Sequence, residues 1–331
     1  MDSQRDGPDM YDAVPSLLED FPRLAAFPDG SLDVYSRVHD AGGNRLSKAA
    51  FRKRLTGARS RAFRLEERLV EPGGQAVNAA RQADAFGDEV RLDGCLDHHR
   101  LDLDFETHSH GRPSRIHIHE FTDGDLTYAA ISEDVADWTP EAFETIPDAD
   151  GYFCGNWVSV DEMSESLRTL ASLLDGVALV FDPGNLTTSD PAAVRDLVDA
   201  LGTLDAGIDT SLSINDRELA AFADALGVDT EEAAVRREIG ISSVVVHEKE
   251  AARAAYEGGT TTVPNLVIDR TTRNTGGGDR FGAGLLHGLA VGADFDAALA
   301  LGNACASYYV ATGETGTKDE LVEFVDSRAT L

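Results

Sequence analysis

From residue 74 onward the apolar positions follow two alternating rhythms. Short apolar runs lie at 89–92, 151–154, 177–181, 210–214 and 241–246. Between them, at about 75–86, 163–174, 191–201, 217–226, 279–291 and 295–310, apolar residues recur every three or four positions. The short runs predict strands buried on both faces, and the longer stretches predict helices with one buried face. Such repeated alternation predicts a central, mostly parallel sheet covered by helices on both faces.

Other segments do not fit that rhythm. A strand from residue 24, a turn at Pro28-Asp29-Gly30 and an extended stretch through Leu32, Val34 and Val38 come early, and Phe63, Leu65, Leu69 and Val70 suggest another strand. Between 105 and 131 the alternation is strict: Ile116, Ile118 and Phe121, a turn at Asp123-Gly124-Asp125, then Leu126, Tyr128 and Ala130. That pattern predicts a β-hairpin with one apolar face. Segments near 32–72 and 105–131 are therefore expected to form a separate small sheet. Residues 1–23 read as an N-terminal extension and 24–331 as the main domain. His117 and His119 share one face of the hairpin, but no third metal ligand is evident, so lid-contact or solvent-facing roles are expected.

Charge narrows the setting. Asp and Glu number 59 against 29 Lys and Arg, a net charge of −30, while the hydrophobic fraction of 42% is ordinary. Salt screens such a charge within a few ångströms, and the acidity reads as adaptation to a salt-filled, halophilic cytoplasm. It argues against nucleic-acid binding, which needs a positive surface. No apolar run approaches the length that spans a bilayer, and the polar start lacks the features of a signal peptide, so a cytoplasmic protein with no membrane partner is expected. Cys95, Cys154 and Cys305 are scattered and read as reduced, buried thiols. Against this background residues 39–60 form a basic insertion containing Arg45, Lys48, Arg52, Lys53, Arg54 and Arg59, with Arg61, Arg64 and Arg68 following. Its arginines could grip a phosphorylated acceptor, or pair with the protein's own acidic surface.

Three segments carry chemistry. Asn274-Thr275-Gly276-Gly277-Gly278-Asp279 opens a helix. Glycines there let bare N–H groups point at an anion, with the helix dipole behind them. A carboxylate directly after them suits a base that takes a proton from an attacking hydroxyl while the amides hold a transferring phosphoryl; the plain alternative is a glycine-rich loop capped by Asp279. Pro72-Gly73-Gly74-Gln75-Ala76-Val77-Asn78 starts an earlier helix. Its glycines allow close approach of a ligand and Asn78 offers a donor and an acceptor, although a tight strand–helix turn explains the pattern nearly as well. Asn215-Asp216-Arg217-Glu218 reads as an N-capped helix start, or as Asn215 and Glu218 organising waters of Mg²⁺ around phosphates.

In this order the segments resemble the ribokinase-like (PfkB-type) carbohydrate kinase family over roughly residues 25–328, with Asp182-Pro183-Gly184-Asn185 similar to its mid-chain Asp-Pro-Asn stretch. The resemblance implies a ribokinase-like α/β fold with a small β lid, and transfer of the γ-phosphoryl of ATP, with Mg²⁺, to a sugar or sugar-phosphate hydroxyl. It implies Asp279 as base and the amides of Gly276, Gly277 and Gly278 as anion hole. Gly73, Gly74, Asn78 and Asp33 would hold the acceptor, while Asn215, Glu218 and Asn185 would lie near the nucleotide, with Glu218 reaching the metal through water. Homodimerisation through the lid is also implied. Two departures stand out: Arg273-Asn274 replaces the usual Asp-Thr, which bears on the monovalent-cation site of some relatives, and Val246–Ala251 lacks both glycines of the usual nucleotide-side loop. A nucleoside kinase on the same fold and a catalytically silent sugar-binding homologue are the alternatives.

Overall fold

The structure, a computed structural model, describes residues 10–57, 62–174, 178–273, 275–328 and 330. Arg59, Arg61, Val177, Asn274 and the first nine residues of the expected extension lie outside the described residues. In chain order the strands are β1 (Arg23–Phe27), β2 (Ser31–His39), β3 (Arg64–Gly73), β4 (Glu89–Gly94), β5 (Glu106–Ser109), β6 (Ser114–Phe121) and β7 (Gly124–Ala130). They continue with β8 (Gly151–Gly155), β9 (Ala178–Asp182), β10 (Thr210–Ile214), β11 (Ser243–His247), β12 (Ala251–Tyr256) and β13 (Gly259–Pro264).

Nine strands form one sheet in the order β13-β12-β11-β10-β9-β8-β1-β4-β5. The run from β11 to β5 is parallel, and β12 and β13 close one edge as an antiparallel hairpin. Buried runs such as Ala-Leu-Val-Phe-Asp of β9 supply the middle, because both faces are covered. One face carries the helices Gln75–Phe86, Gly277–Ala290, Phe295–Thr312 and Lys318–Asp326, and the other carries Met163–Leu170, Pro191–Asp205, Asp216–Leu226 and Glu232–Ile239. This is the expected α/β sandwich with a ribokinase-like arrangement.

The small sheet has the order β3-β2-β6-β7. Its outer strand β7 is exposed along its whole length, and the expected single apolar face is split by the register: Ile116 and Ile118 share a face with Ala129 and Thr127, while Leu126 and Tyr128 share the other with His119 and His117. Two expected boundaries need correction. Glu106–Ser109 pairs with β4 in the main sheet rather than the small one, because its parallel register continues that edge. The hairpin turns at Thr122 and Asp123, since Phe121 already faces Gly124 across the ladder. The extension before residue 24 is docked on the core: Tyr11, Val14 and Leu18 are buried with Leu24, and the buried His287 reaches the Leu17 carbonyl at 3.0 Å and Asp88 at 2.9 Å.

Within the basic insertion Ser47 caps the short helix Lys48–Thr56 as expected, accepting from the Ala50 N–H at 3.1 Å. Arg54 pairs with Asp40 at 2.8 Å and Arg45 donates to the Phe121 carbonyl at 2.7 Å. The insertion sits at the far end of β2, six residues beyond Asp33 and hence about 20 Å away along the strand. Arg45 and Arg54 are thus engaged locally, Arg54 with an acid of the protein itself.

Candidate active site

The carboxyl ends of the parallel strands and the amino ends of the following helices converge on one edge, where ligands of open α/β sheets bind. Just past β1, Asp29 is 3% exposed and accepts from the N–H groups of Gln75 and Ala76 at 3.1 and 2.8 Å, and from Asn156 Nδ2 at 2.9 Å. It therefore caps the helix that begins at Gln75 and ties it to the chain leaving β8. Asn156 adopts a left-handed backbone, with φ of 65°, a conformation Asn tolerates better than most residues. Burial pushes the Asp29 carboxyl up to about 6, with the charge of Asp279 adding to the effect.

Asp33 on β2 is likewise buried, accepts from the Ser31 hydroxyl at 2.7 Å, and is pushed up to about 6 by desolvation. Gly73 lies against it: a Cβ there would come within 2.3 Å of the Asp33 carboxyl. This explains the first glycine of the Gly73-Gly74 pair. Asn78, one turn into the helix, donates to Asp279 Oδ2 at 2.7 Å. The Pro72–Asn78 and Asn274–Asp279 segments, joined by residues 201 positions apart in the chain, thus meet directly.

The glycine loop bends at Gly276, whose φ of +92° lies in the left-handed region, and the helix starts at Gly277, two residues earlier than the apolar pattern suggests. Gly277 and Gly278 occupy the first turn, so their N–H groups fall outside the intrahelical ladder. Burial raises the Asp279 carboxyl, against the lowering effects of Asn78, Arg280 and Gln75. Burial, Asp279 and Glu218 push the Asp182 carboxyl up to about 8, against the lowering effect of nearby Gln75.

Two clefts meet at this loop. The first, of about 280 Å³, is lined by Asp33, Gly74, Asn78, Asn156, Gly276 and Asp279 among others. The second, of about 410 Å³, is lined by Asn215, His247, Asn265, Gly277, Gly278 and Asn303 among others. Asn185, expected near the nucleotide, lines the first cleft, where the chain turns at Gly184 (φ +76°). Asn215 and Glu218 form a reciprocal cap: Asn215 Oδ1 accepts from the Arg217 and Glu218 N–H groups, and the Glu218 carboxylate accepts from the Asn215 N–H at 3.0 Å.

Buried carboxylates that repel one another, as Asp182, Glu218 and Asp279 do, suit a hydrated divalent cation. Among the described residues no group of three ligands is close enough to hold an ion directly.

Sequence reasoning missed Asp29, Gln75, Asn156 and His247. Asp29 was hidden because Pro-Asp-Gly reads as an ordinary turn. His247, at the end of β11, stands in the segment that lacks the usual glycines. It rests 5.0 Å from the Phe281 ring beside Gly278, and burial lowers it to about 4, so it is a neutral wall of the second cleft.

Residues 48–328 match the family model for prokaryotic ketohexokinase. A ketohexokinase from Haloferax volcanii is 28% identical over 322 residues, covering 89% of this chain and 84% of that protein. Among solved structures, fructokinase from Xylella fastidiosa with bound ATP aligns with a TM-score of 0.68 at 15% identity, covering 92% of this chain and 98% of that one. The nucleoside kinase of Burkholderia thailandensis in complex with inosine aligns at 0.64 and 20%, covering 92% and 98%. At these identities the two structures establish the shared fold. The chain belongs to the prokaryotic ketohexokinase family, and so is a phosphotransferase of the ribokinase-like (PfkB-type) carbohydrate kinases, with an alcohol group as acceptor.

Proposed function

We propose that this enzyme transfers the γ-phosphoryl of ATP to a hydroxyl of an unphosphorylated ketohexose bound in the first cleft. The observation that carries the reading is the place of Asp279, held by Asn78 at 2.7 Å where the two clefts meet. The acceptor hydroxyl gives its proton to the Asp279 carboxylate while its oxygen attacks the γ-phosphorus. The bond to the bridging oxygen breaks and ADP leaves. The Gly277 and Gly278 N–H groups face the charge that builds on the transferring phosphoryl. Mg²⁺, bound with the nucleotide, would neutralise phosphate charge, its waters held by Glu218 and Asp182.

The lining of the first cleft supports a neutral sugar over the alternatives. Among its described residues there is no aromatic ring on which a nucleobase could stack and no Lys or Arg to meet a sugar phosphate. Asp29, Asp33 and Asp279 there would repel a phosphorylated acceptor and accept hydrogen bonds from hydroxyls. Asn78 and Asn156 supply donors, and the small sheet lies over the cleft through Ile116, Ala129 and Ile131, where its closure would exclude water. The exposed strand β7 supports pairing of two copies through that sheet. The three buried free cysteines support a reducing, cytoplasmic setting.

A panel of ketoses, aldoses, sugar phosphates and nucleosides, assayed with ATP, ADP and GTP in high salt, tests this. Turnover is expected with a ketohexose and ATP. Asp279→Asn should keep sugar affinity and lose about 10²–10⁴-fold in kcat. Wild-type turnover in that variant, or preference for a nucleoside or a sugar phosphate, refutes the assignment.

A further inference from the structure

Arg280 directly follows the proposed base and is only 2% exposed. Its Nη1 donates to the Gly276 carbonyl at 2.9 Å, and Nε and Nη2 each lie 3.3 Å from the Thr315 hydroxyl. Its guanidinium carbon sits 3.8 Å from the centre of the Tyr309 ring. No carboxylate forms an ion pair with it among the described residues; Asp279 and Glu71 attract it from further off and Arg81 repels it. The position is costly on two counts. Burial strips water from a cation, and the first turn of a helix carries the positive end of the dipole, which repels one.

The grip on Gly276 has a directional consequence. A trans peptide is planar, so its C=O and N–H point in opposite directions. A donor that holds the Gly276 carbonyl from behind aims the Gly277 N–H the other way, toward the second cleft. The ring under Arg280 has a second partner. Tyr309 couples electrostatically to Arg273, and Arg273 lies 4.9 Å over the Tyr35 ring and 2.5 Å from Glu71. Tyr35 and Glu71 belong to β2 and β3 of the small sheet.

We infer that Arg280 is the positioning residue of the anion hole, and that the Arg273–Tyr309 contact makes its hold on Gly276 depend on how the small sheet is seated. The inference rests on the kinase reading for its kinetic consequence, but not for its structural one. A shift of β2 and β3 moves Arg273, Arg273 moves the Tyr309 hydroxyl, and the ring carries Arg280 and the Gly276 peptide with it. Sugar binding beneath the small sheet thereby sets the peptide that meets the phosphoryl.

The test uses the full chain with Arg280→Met, Arg280→Lys and Tyr309→Leu. Steady-state kinetics with ketohexose and ATP, thermal unfolding, and hydrogen exchange of the peptide spanning 275–281 are read together. Arg280→Met should lower kcat by about 100-fold, the cost of disturbing one donor to a developing anion, with KM for sugar changed by less than about two-fold. Arg280→Lys should recover part of the rate, Tyr309→Leu should lose less than Arg280→Met, and exchange at Gly277 should quicken in Arg280→Met. Should Arg280→Met not fold, the other two variants decide by the same readouts. An unchanged kcat, or a rate lost only in proportion to the unfolded fraction with exchange unaltered, overturns the inference. Should the wild-type chain phosphorylate no sugar, the kinase reading falls on its own, and the exchange measurement alone decides whether Arg280 holds the Gly276 turn.

Discussion

At the scale of single residues, the site is organised by carboxylates kept close to backbone. Gly73 and Asp33 illustrate this, since any side chain at 73 collides with the Asp33 carboxyl. Gly73→Ala is expected to displace Asp33, and a misplacement of about 1 Å costs on the order of 10²-fold. The loss should fall mainly in KM for the sugar, because Asp33 is proposed to bind the acceptor rather than to take its proton; steady-state kinetics check this, and an unchanged KM contradicts that proposed role. The Gly73-Gly74 pair and the carboxylate after three glycines marked Gly73, Asn78 and Asp279 as candidates in the sequence, and the structure brings them together. Asp29 was not legible there, since its value lies in receiving the N–H of Gln75, 46 residues away.

At the scale of elements, the ends of parallel strands concentrate negative charge. Asp29 and Asp182 follow or end β1 and β9, and desolvation raises them to about 6 and about 8 from ordinary values near 3.8. A raised folded-state value means that folding favours the protonated form. That contribution is fully present below about pH 4 and is lost as pH rises through 6 to 8. The thermal midpoint of the nucleotide-free enzyme should therefore climb as pH falls from 8.5 to 5.5, on the order of the shifts cited. Asp182→Asn should flatten the upper part of the curve, and a flat wild-type curve in scanning calorimetry would refute it. Near pH 4 and below the trend reverses, because carboxylates held low by partners, such as Asp40 by the Asn44 N–H and Asp150 by the Arg23 N–H, then lose those interactions.

For the molecule as a whole, the net charge of −30 opposes compaction unless it is screened. The Debye length falls from about 10 Å at 0.1 M salt to about 3 Å at 1 M. The unfolding midpoint should accordingly rise by several degrees between 0.1 and 2 M KCl, with most of the gain at the lower end; a salt-independent midpoint would remove the adaptation reading. The basic insertion does not undo this charge. It sits at the far end of the small sheet, with Arg54 on Asp40 and a local cluster of Val38, Leu46 and Phe121 beneath it.

The alternating rhythm after residue 74 by itself determined the α/β sandwich, because helix and strand periods are local and each element needed only its own residues to be recognised. The same holds for the glycine loops, whose backbone demands are written in their composition. Tertiary structure alone decided which carboxylates share a cleft, that Asn185 lines the same cleft as Asp33 and Asp279, that β5 joins the main sheet, and that Arg280 holds the Gly276 carbonyl. These are relations between segments far apart in sequence. Their energies come from burial and mutual charge, which exist only once the chain has closed around them.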